Sequence, residues 1–156
     1  YEDILGLKLA AAMSFDNLSG TDKKIEYMHI FFELVDGNYI AFFDDPYNAP
    51  EDFFVDMNGF DSHVAVEVKS MEHLKAIESK LDSIGWDSFT INHEFVTSLY
   101  IFDPNGIQLE FTTRASEHDK IMAEDAAKAH QEIKAWTSRT RDMKVKKFGE
   151  ESLTKK

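Results

Sequence analysis

Three residues of this sequence, His63, Tyr100 and Glu110, carry side chains that could act together on a metal-bound ligand. Imidazole and carboxylate groups bind divalent transition metals, and a phenol beside them can serve as an acidic group. Residues 91–111 hold two apolar runs separated by Pro-Asn-Gly at 104–106. This pattern predicts a β-hairpin that carries two of the three groups.

The turn sets the register of the hairpin. A three-residue loop with its glycine in the left-handed conformation pairs Asp103 with Ile107. Counting outwards then places Tyr100 opposite Glu110 and leaves an apolar opposite face. That face consists of Leu99, Ile101, Leu109 and Phe111. A two-residue or four-residue loop would mix the two faces, so the three-residue turn is preferred.

Residues 62–68 form a second candidate strand, in which valines alternate with His63, Ala65 and Glu67. His63 can therefore share a face with Glu110 and Tyr100, which predicts a metal site on a concave sheet. In the plainer alternative, His63 ends a strand and Glu110 is a solvated sheet residue.

The spacing of His93, Leu99-Tyr100, Asp103-Pro104, Gly106 and Glu110 resembles the signature of type I extradiol ring-cleavage dioxygenases. These enzymes belong to the vicinal-oxygen-chelate superfamily, together with glyoxalases, fosfomycin-resistance proteins and bleomycin-binding proteins. The resemblance implies an α+β fold with two βαβββ modules. Together the modules would form one curved mixed sheet around a metal or ligand cup, followed by an added C-terminal helix.

The resemblance also implies roles for individual residues. His63 and Glu110 match metal ligands, Tyr100 matches the tyrosine that hydrogen-bonds a bound catecholate, and His93 matches a histidine near the substrate. Fe(II) is the implied metal, with Mn(II) or another divalent ion as the alternative. The first strand of the fold would lie upstream of Tyr1 and supply a third ligand, a histidine. Two ligands alone bind metal weakly, so an empty site is compatible with this interpretation.

A weak internal repeat supports two modules. Residues 27–44 predict another hairpin, with Val-Asp-Gly at 35–37 as its tip. Overlaying Gly37 on Gly106 places His29 on Ser98 and Ala41 on Glu110. The glyoxalases that the chain resembles use a carboxylate or amide from each module, and Ala41 stands where the first module would supply one. The resemblance therefore predicts a triad of two histidines and one carboxylate. Such a triad favours dioxygenase or fosfomycin-resistance chemistry over glyoxalase chemistry.

The same overlay places His29, Phe31 and Phe43 on one face of the first module. We predict that Phe31, Phe43 and Ser98 contact substrate, although the two phenylalanines could equally fill the core. No residue clearly matches the family's acid/base histidine. His29 is the substitute that we predict for it.

The function expected from these residues is that of a metal-dependent enzyme, extradiol-dioxygenase-like, acting on a small aromatic or diol substrate. One alternative is a fosfomycin-resistance-like transferase, for which Lys69 and Arg114 are the only cations near the site to hold a phosphonate. The other alternative is a metal-free, bleomycin-resistance-like protein that binds small molecules.

The rest of the chain predicts supporting elements. Ser70 should begin a helix that Gly85 ends, followed by a strand over 86–91. A long helix should carry an apolar stripe of Met122, Ala126, Ala129, Ile133 and Trp136, while residues 142–156 should fray. His118 and His130 should be surface residues. The predicted division is 1–59 for the first module and its linking loop over 45–60, 60–114 for the second module and 115–156 for the C-terminal helix and basic tail.

Composition limits the partners. The 156 residues have a net charge of −12 and a pI of about 4.8, which argue against nucleic acid and anionic membranes as partners. There is no cysteine, so thiolate metal sites are excluded. No apolar run approaches the roughly 20 residues of a membrane span, and we expect a cytoplasmic protein that takes a small-molecule substrate. The apolar stripe must cover either this domain's own sheet or a partner subunit, and we predict a homodimer.

Overall fold

The structure, a computed structural model, describes residues 1–18, 20–48 and 62–153. The first three strands are β1 (Lys8–Asn17), β2 (Lys24–Glu33) and β3 (Tyr39–Asp44). They are followed by β4 (His63–Glu67), α1 (Met71–Ser83), β5 (Phe89–Asn92), β6 (Val96–Phe102) and β7 (Gln108–Arg114). The chain ends in α2 (His118–Phe148) and a 3₁₀-helix at Glu150–Leu153. Most of the predicted linking loop over 45–60 lies outside the described residues.

The α+β class and the added C-terminal helix are confirmed. Strands β1, β2 and β3 form an antiparallel sheet, and β4, β7, β6 and β5 form a second sheet in that order. Strand β4 is parallel to β7, so β4, α1 and β5 to β7 make a full βαβββ module. The two sheets are separate where one continuous sheet was expected, because in the described residues no strand of one is hydrogen-bonded to a strand of the other.

The predicted register of the second hairpin is confirmed. The amide of Asp103 donates to the carbonyl of Ile107 at 2.9 Å, and Gly106 adopts a φ of 80°. Counting from that pair places Tyr100 opposite Glu110. The first hairpin is confirmed in the same way, since Phe31 pairs with Ala41 and His29 pairs with Phe43.

The apolar core lies between the second sheet and α1. Its buried members are Val68, Leu74, Leu81, Leu99, Ile101, Leu109 and Phe111. The predicted helix start is confirmed, because the Ser70 hydroxyl accepts a hydrogen bond from the His73 amide at 3.2 Å. Gly85, at a φ of 69°, follows the end of the helix as predicted.

Two predictions about the helices and strands were wrong in their bounds. The strand expected over 86–91 is Phe89–Asn92, because the Trp86 amide still bonds to Leu81 and its indole donates to the Phe102 carbonyl. Residues 142–148, which were predicted to fray, continue α2. The positive charges of Lys146 and Lys147 in its last turn interact favourably with the negative end of the helix dipole. Of the two histidines predicted to lie at the surface, His130 is exposed and His118 is half-buried, with Nδ1 3.0 Å from the Phe95 carbonyl.

The described chain divides into two compact units. One contains residues 1–91 and 98–113, and the other contains residues 92–97 and 114–156. Among the described residues, no helix has the length and apolar character that crossing a membrane requires.

The tight turn of the second hairpin depends on one buried carboxylate, that of Asp103. Its Oδ1 accepts the amides of Asn105 and Ile107 at 2.9 and 2.8 Å, and its Oδ2 accepts the Tyr1 hydroxyl at 3.1 Å. We expect Asp103→Ala to lower the free energy of unfolding by about 2 to 4 kcal/mol, because two backbone amides of the turn lose a charged acceptor. Urea unfolding would measure the change. Tyr1→Phe is the control and should cost about 1 kcal/mol, since both turn bonds remain. Equal losses in the two variants would contradict this account of the turn.

Candidate functional site

The structure brings His63 and Glu110 together on one face of the second sheet. Strand β4 lies parallel to β7 with Ala65 beside Glu110, so His63, two residues earlier, projects on the same side. His63 Nε2 lies 2.9 Å from Glu110 Oε2. The imidazole is about a third exposed and the carboxylate is nearly buried, at 36% and 13% of their side-chain surface. A partly desolvated pair at the surface of a sheet can bind a cation or hold a proton.

Glu110 is positioned by a neighbour on β6. The hydroxyl of Ser98 donates a short hydrogen bond to Glu110 Oε1, and it lies 3.2 Å from the Thr112 hydroxyl. Oε2 is therefore the oxygen that turns towards His63. Ser98 was predicted to contact substrate, but its side chain is fully buried. Its bonds instead fix the orientation of the carboxylate.

Tyr100 stands beside this pair. Its ring lies 5.9 Å from the His63 ring and stacks on Phe89 at 5.0 Å, a contact that the sequence analysis missed. Burial is the main cause that raises the pKa of Tyr100, and the Glu110 carboxylate adds to it, while a hydrogen bond with Ser98 acts in the opposite direction. The raised pKa keeps the phenol protonated to a higher pH than an exposed tyrosine, so its hydroxyl can donate a hydrogen bond over that range.

The donor set fits two adjacent ligands of one divalent metal. Two ligands that are cis to each other, with bonds of about 2.1 Å, have donor atoms about 3 Å apart. The His63 Nε2 to Glu110 Oε2 separation of 2.9 Å matches this value. Among the described residues, no third histidine, cysteine or carboxylate completes a metal-binding group. His63 and Glu110 can thus supply two ligands, and the other positions need water, substrate or a further side chain.

The first sheet presents an aromatic face. His29 lies between Phe31 and Phe43, with ring centroids 4.0 and 3.9 Å away. The predicted sharing of one face by these residues is confirmed. The face is wider than predicted, because it continues through three further rings in a chain of contacts. These rings are Tyr27, Phe15 and Tyr39.

His93 lies in the other compact unit, in the turn between β5 and β6, where its amide donates to the Val96 carbonyl at 2.8 Å. Its catalytic role stays a prediction. A cavity of about 580 Å³ lies along β4, and its lining includes Leu5, Val35, Lys69 and Ile77. It includes neither His63 nor Glu110, so volume alone does not identify the candidate site.

Three solved structures are similar to this chain. A glyoxylase/bleomycin resistance protein/dioxygenase domain from Frankia sp. EAN1pec has 20% identity over 74% of this chain and 84% of its own, with a TM-score of 0.53. A lactoylglutathione lyase from Agrobacterium tumefaciens has 16% identity over 72% and 79%, with a TM-score of 0.48. The fosfomycin resistance protein FosX from Listeria monocytogenes, complexed with Mn(II) and sulfate ion, has 15% identity over 76% and 80%, with a TM-score of 0.46.

No protein-family model matches the chain, and no curated protein sequence matches it. At these identities the likeness carries the fold alone, and of these three structures the Frankia domain, with a TM-score of 0.53, supports it.

Proposed function

Because the chain has the fold of the vicinal-oxygen-chelate superfamily, we propose that it is a metal-dependent enzyme of the extradiol-dioxygenase type, acting on a small aromatic diol. The observation that carries this proposal is the separation of 2.9 Å between His63 Nε2 and Glu110 Oε2, with the Tyr100 ring beside them. Fe(II) is the metal that we propose, and Mn(II) is the alternative.

The metal would be held by His63 and Glu110. When bound, it supplies coordination positions for two neighbouring substrate oxygens and the electron transfer that lets dioxygen react. Both oxygen atoms enter the product as the carbon–carbon bond beside the diol breaks, so the balance needs no further reductant.

The side chains around the metal have distinct tasks. Ser98 holds Glu110 so that Oε2 faces His63. Tyr100, whose pKa is raised, donates a hydrogen bond to a charged substrate oxygen. Phe31 and Phe43 offer apolar contact to the substrate ring, and His29 between them accepts the second diol proton. The roles of His29 and of His93, near the substrate, rest on the family resemblance.

The proposal is tested by metal binding and oxygen uptake in the purified protein, with Tyr100→Phe as the diagnostic variant. We expect wild-type protein to bind Fe(II) or Mn(II) at one ion per chain when the metal is supplied in excess, and to consume oxygen with catechol as the probe. Tyr100→Phe should keep the metal and lower kcat/KM by about 10-fold to 150-fold, the effect of losing a hydrogen bond of about 1.5 to 3 kcal/mol to a charged oxygen.

Phe89→Leu serves as the matched control, because it removes the ring stacked on Tyr100 without removing the hydroxyl. It should lower kcat/KM by less than Tyr100→Phe does. Wild-type protein that binds neither metal, or that binds metal without any oxygen uptake on aromatic diols, would overturn the dioxygenase proposal.

A second candidate function is metal-free binding of a planar aromatic molecule, which the aromatic face favours. Phe43 and Tyr39 on this face are 66% and 53% exposed, so the rings are open to a ligand. Quenching of the protein's intrinsic fluorescence by an added aromatic probe, without metal, would support this function if Phe43→Ala abolishes the quenching.

The transferase alternative gains less support. Lys69 lies six residues beyond His63, roughly 20 Å along the strand direction, and Arg114 lies 4.0 Å from the Asp119 carboxylate. Lys69 therefore does not support phosphonate binding beside His63, and Arg114 already has an acidic neighbour.

A further inference from the structure

The long helix α2 carries an apolar seam that stays exposed. We define the seam as Met122, Ala126, Ala129, Ile133 and Trp136, which alternate at spacings of four and three along one side of the helix. Met122, Ile133 and Trp136 are 43%, 63% and 53% exposed. An apolar stripe on a 31-residue helix gains stability when another surface covers it.

The seam ends at Trp136. The next residue in the spacing, Thr140, is polar and only 8% exposed. The chain turns after α2 at Gly149, and the 3₁₀-helix at Glu150–Leu153 contacts α2. An ion pair between Arg141 and Glu150, at 3.4 Å, holds that end. Thr140 thus separates the seam from Met143, which is 54% exposed further along α2.

Side-chain size along the seam is graded. Its centre holds Ala126 and Ala129, and its later part holds Ile133 and Trp136. Two antiparallel copies can place Trp136 against Ala126 of the second copy and Ile133 against Ala129 of the second copy, so each of these two wide residues meets a narrow one. A parallel pair would put Trp136 beside Trp136 and leave the alanines facing each other across a gap.

The charges beside the seam also change along α2. Asp125, Glu132, Arg139 and Lys146 recur every seven residues and flank the stripe on one side, acidic in the first half and basic in the second. An antiparallel pair brings Asp125 beside Arg139 of the second copy, twice by symmetry, and these two attractive contacts outnumber the single unfavourable approach of the two Glu132 carboxylates near the axis. A parallel pair would set the two basic halves of α2 against each other.

We propose that the seam is the interface of a homodimer in which two α2 helices pack antiparallel, crossing near residue 131. Size and charge both favour a second copy of this chain as the occupant. The proposed dimer does not depend on the function proposed above.

The first test is the mass in solution. Sedimentation equilibrium at micromolar concentrations should give twice the chain mass of 17.9 kDa. Ile133→Asp should raise the dimer dissociation constant by at least about 100-fold, because a carboxylate then enters the interface centre from both copies. Trp136→Ala should weaken the dimer in the same direction. Phe148→Ala is the matched control, since Phe148 is 61% exposed on α2 but lies off the seam.

The second test is the orientation. Because the chain has no cysteine, Lys120→Cys can be spin-labelled at a single position. With 1.5 Å of rise per residue, antiparallel helices crossing near residue 131 should hold the two labels about 30 to 40 Å apart, whereas parallel helices would hold them about 10 to 20 Å apart.

A charge exchange completes the tests. Arg139→Glu should weaken the dimer roughly tenfold, and the double variant Asp125→Arg/Arg139→Glu should restore it. A monomer up to about 10⁻⁴ M, a dimer that survives Ile133→Asp, or the short label distance would each overturn the proposal.

Discussion

Removal of the Glu110 carboxylate should abolish metal binding and, with it, oxygen uptake. Glu110→Ala leaves His63 as the only remaining side-chain ligand of the pair, so we expect metal affinity to fall by at least about 100-fold. Glu110→Gln tests the charge separately. The amide oxygen can still accept the hydrogen bond from Ser98, but the negatively charged metal ligand is lost. Calorimetric titration with Fe(II) under anaerobic conditions would measure both variants.

The matched control for this experiment is Glu67→Ala, which removes another carboxylate from the His63 face of β4. It should leave the metal affinity within about twofold of wild type, since long-range effects of an exposed charge are screened by salt. Thermal unfolding of all variants would separate loss of metal from loss of fold. Unchanged metal stoichiometry in Glu110→Ala would remove Glu110 from the site, and the dioxygenase proposal with it.

The sequence was sufficient to predict those features that depend on interactions between residues close together in the chain. The glycine at 106 and the serine at 70 act on residues within four positions, so the hairpin register and the helix start follow from known turn and cap geometry. The register in turn places Tyr100 opposite Glu110. Alternation along β4 then places His63 on the same face.

The sequence was not sufficient where partners are distant. The bond from Tyr1 to Asp103 joins residues 102 positions apart, and no spacing rule connects them. The stacking of Phe89 on Tyr100 depends on where β5 begins. The strand was predicted to begin at residue 86, and in the structure it begins at Phe89. Contacts of this kind are set by tertiary packing rather than by pattern.

The aromatic face shows an intermediate case. Its His29, Phe31 and Phe43 follow from the hairpin overlay, but Phe15 joins the face only because β1 pairs with β2 in a register that is irregular near Leu9 and again near Asn17. Irregular pairing of this sort shifts which residues share a face, and it leaves no signal in the sequence.

Of the substitutions proposed for this protein, Leu99→Ala should cause the largest loss in the free energy of unfolding. Leu99 is fully buried in the core on the opposite face of β6 from Ser98 and Tyr100, so Leu99→Ala leaves a cavity among close-packed side chains. We expect the free energy of unfolding to fall by about 3 to 5 kcal/mol, measured by urea denaturation.

Leu9→Ala is the same substitution at a position that is 40% exposed, and it should cost less than about 1.5 kcal/mol. Because Leu99 points away from His63 and Glu110, folded Leu99→Ala protein should still bind one metal ion per chain, as proposed for wild type. A difference of under about 1 kcal/mol between the two leucine variants would show that β6 does not anchor the core. In that case the rigid support that we assign to Ser98 and Tyr100 would have to come from another element of the fold.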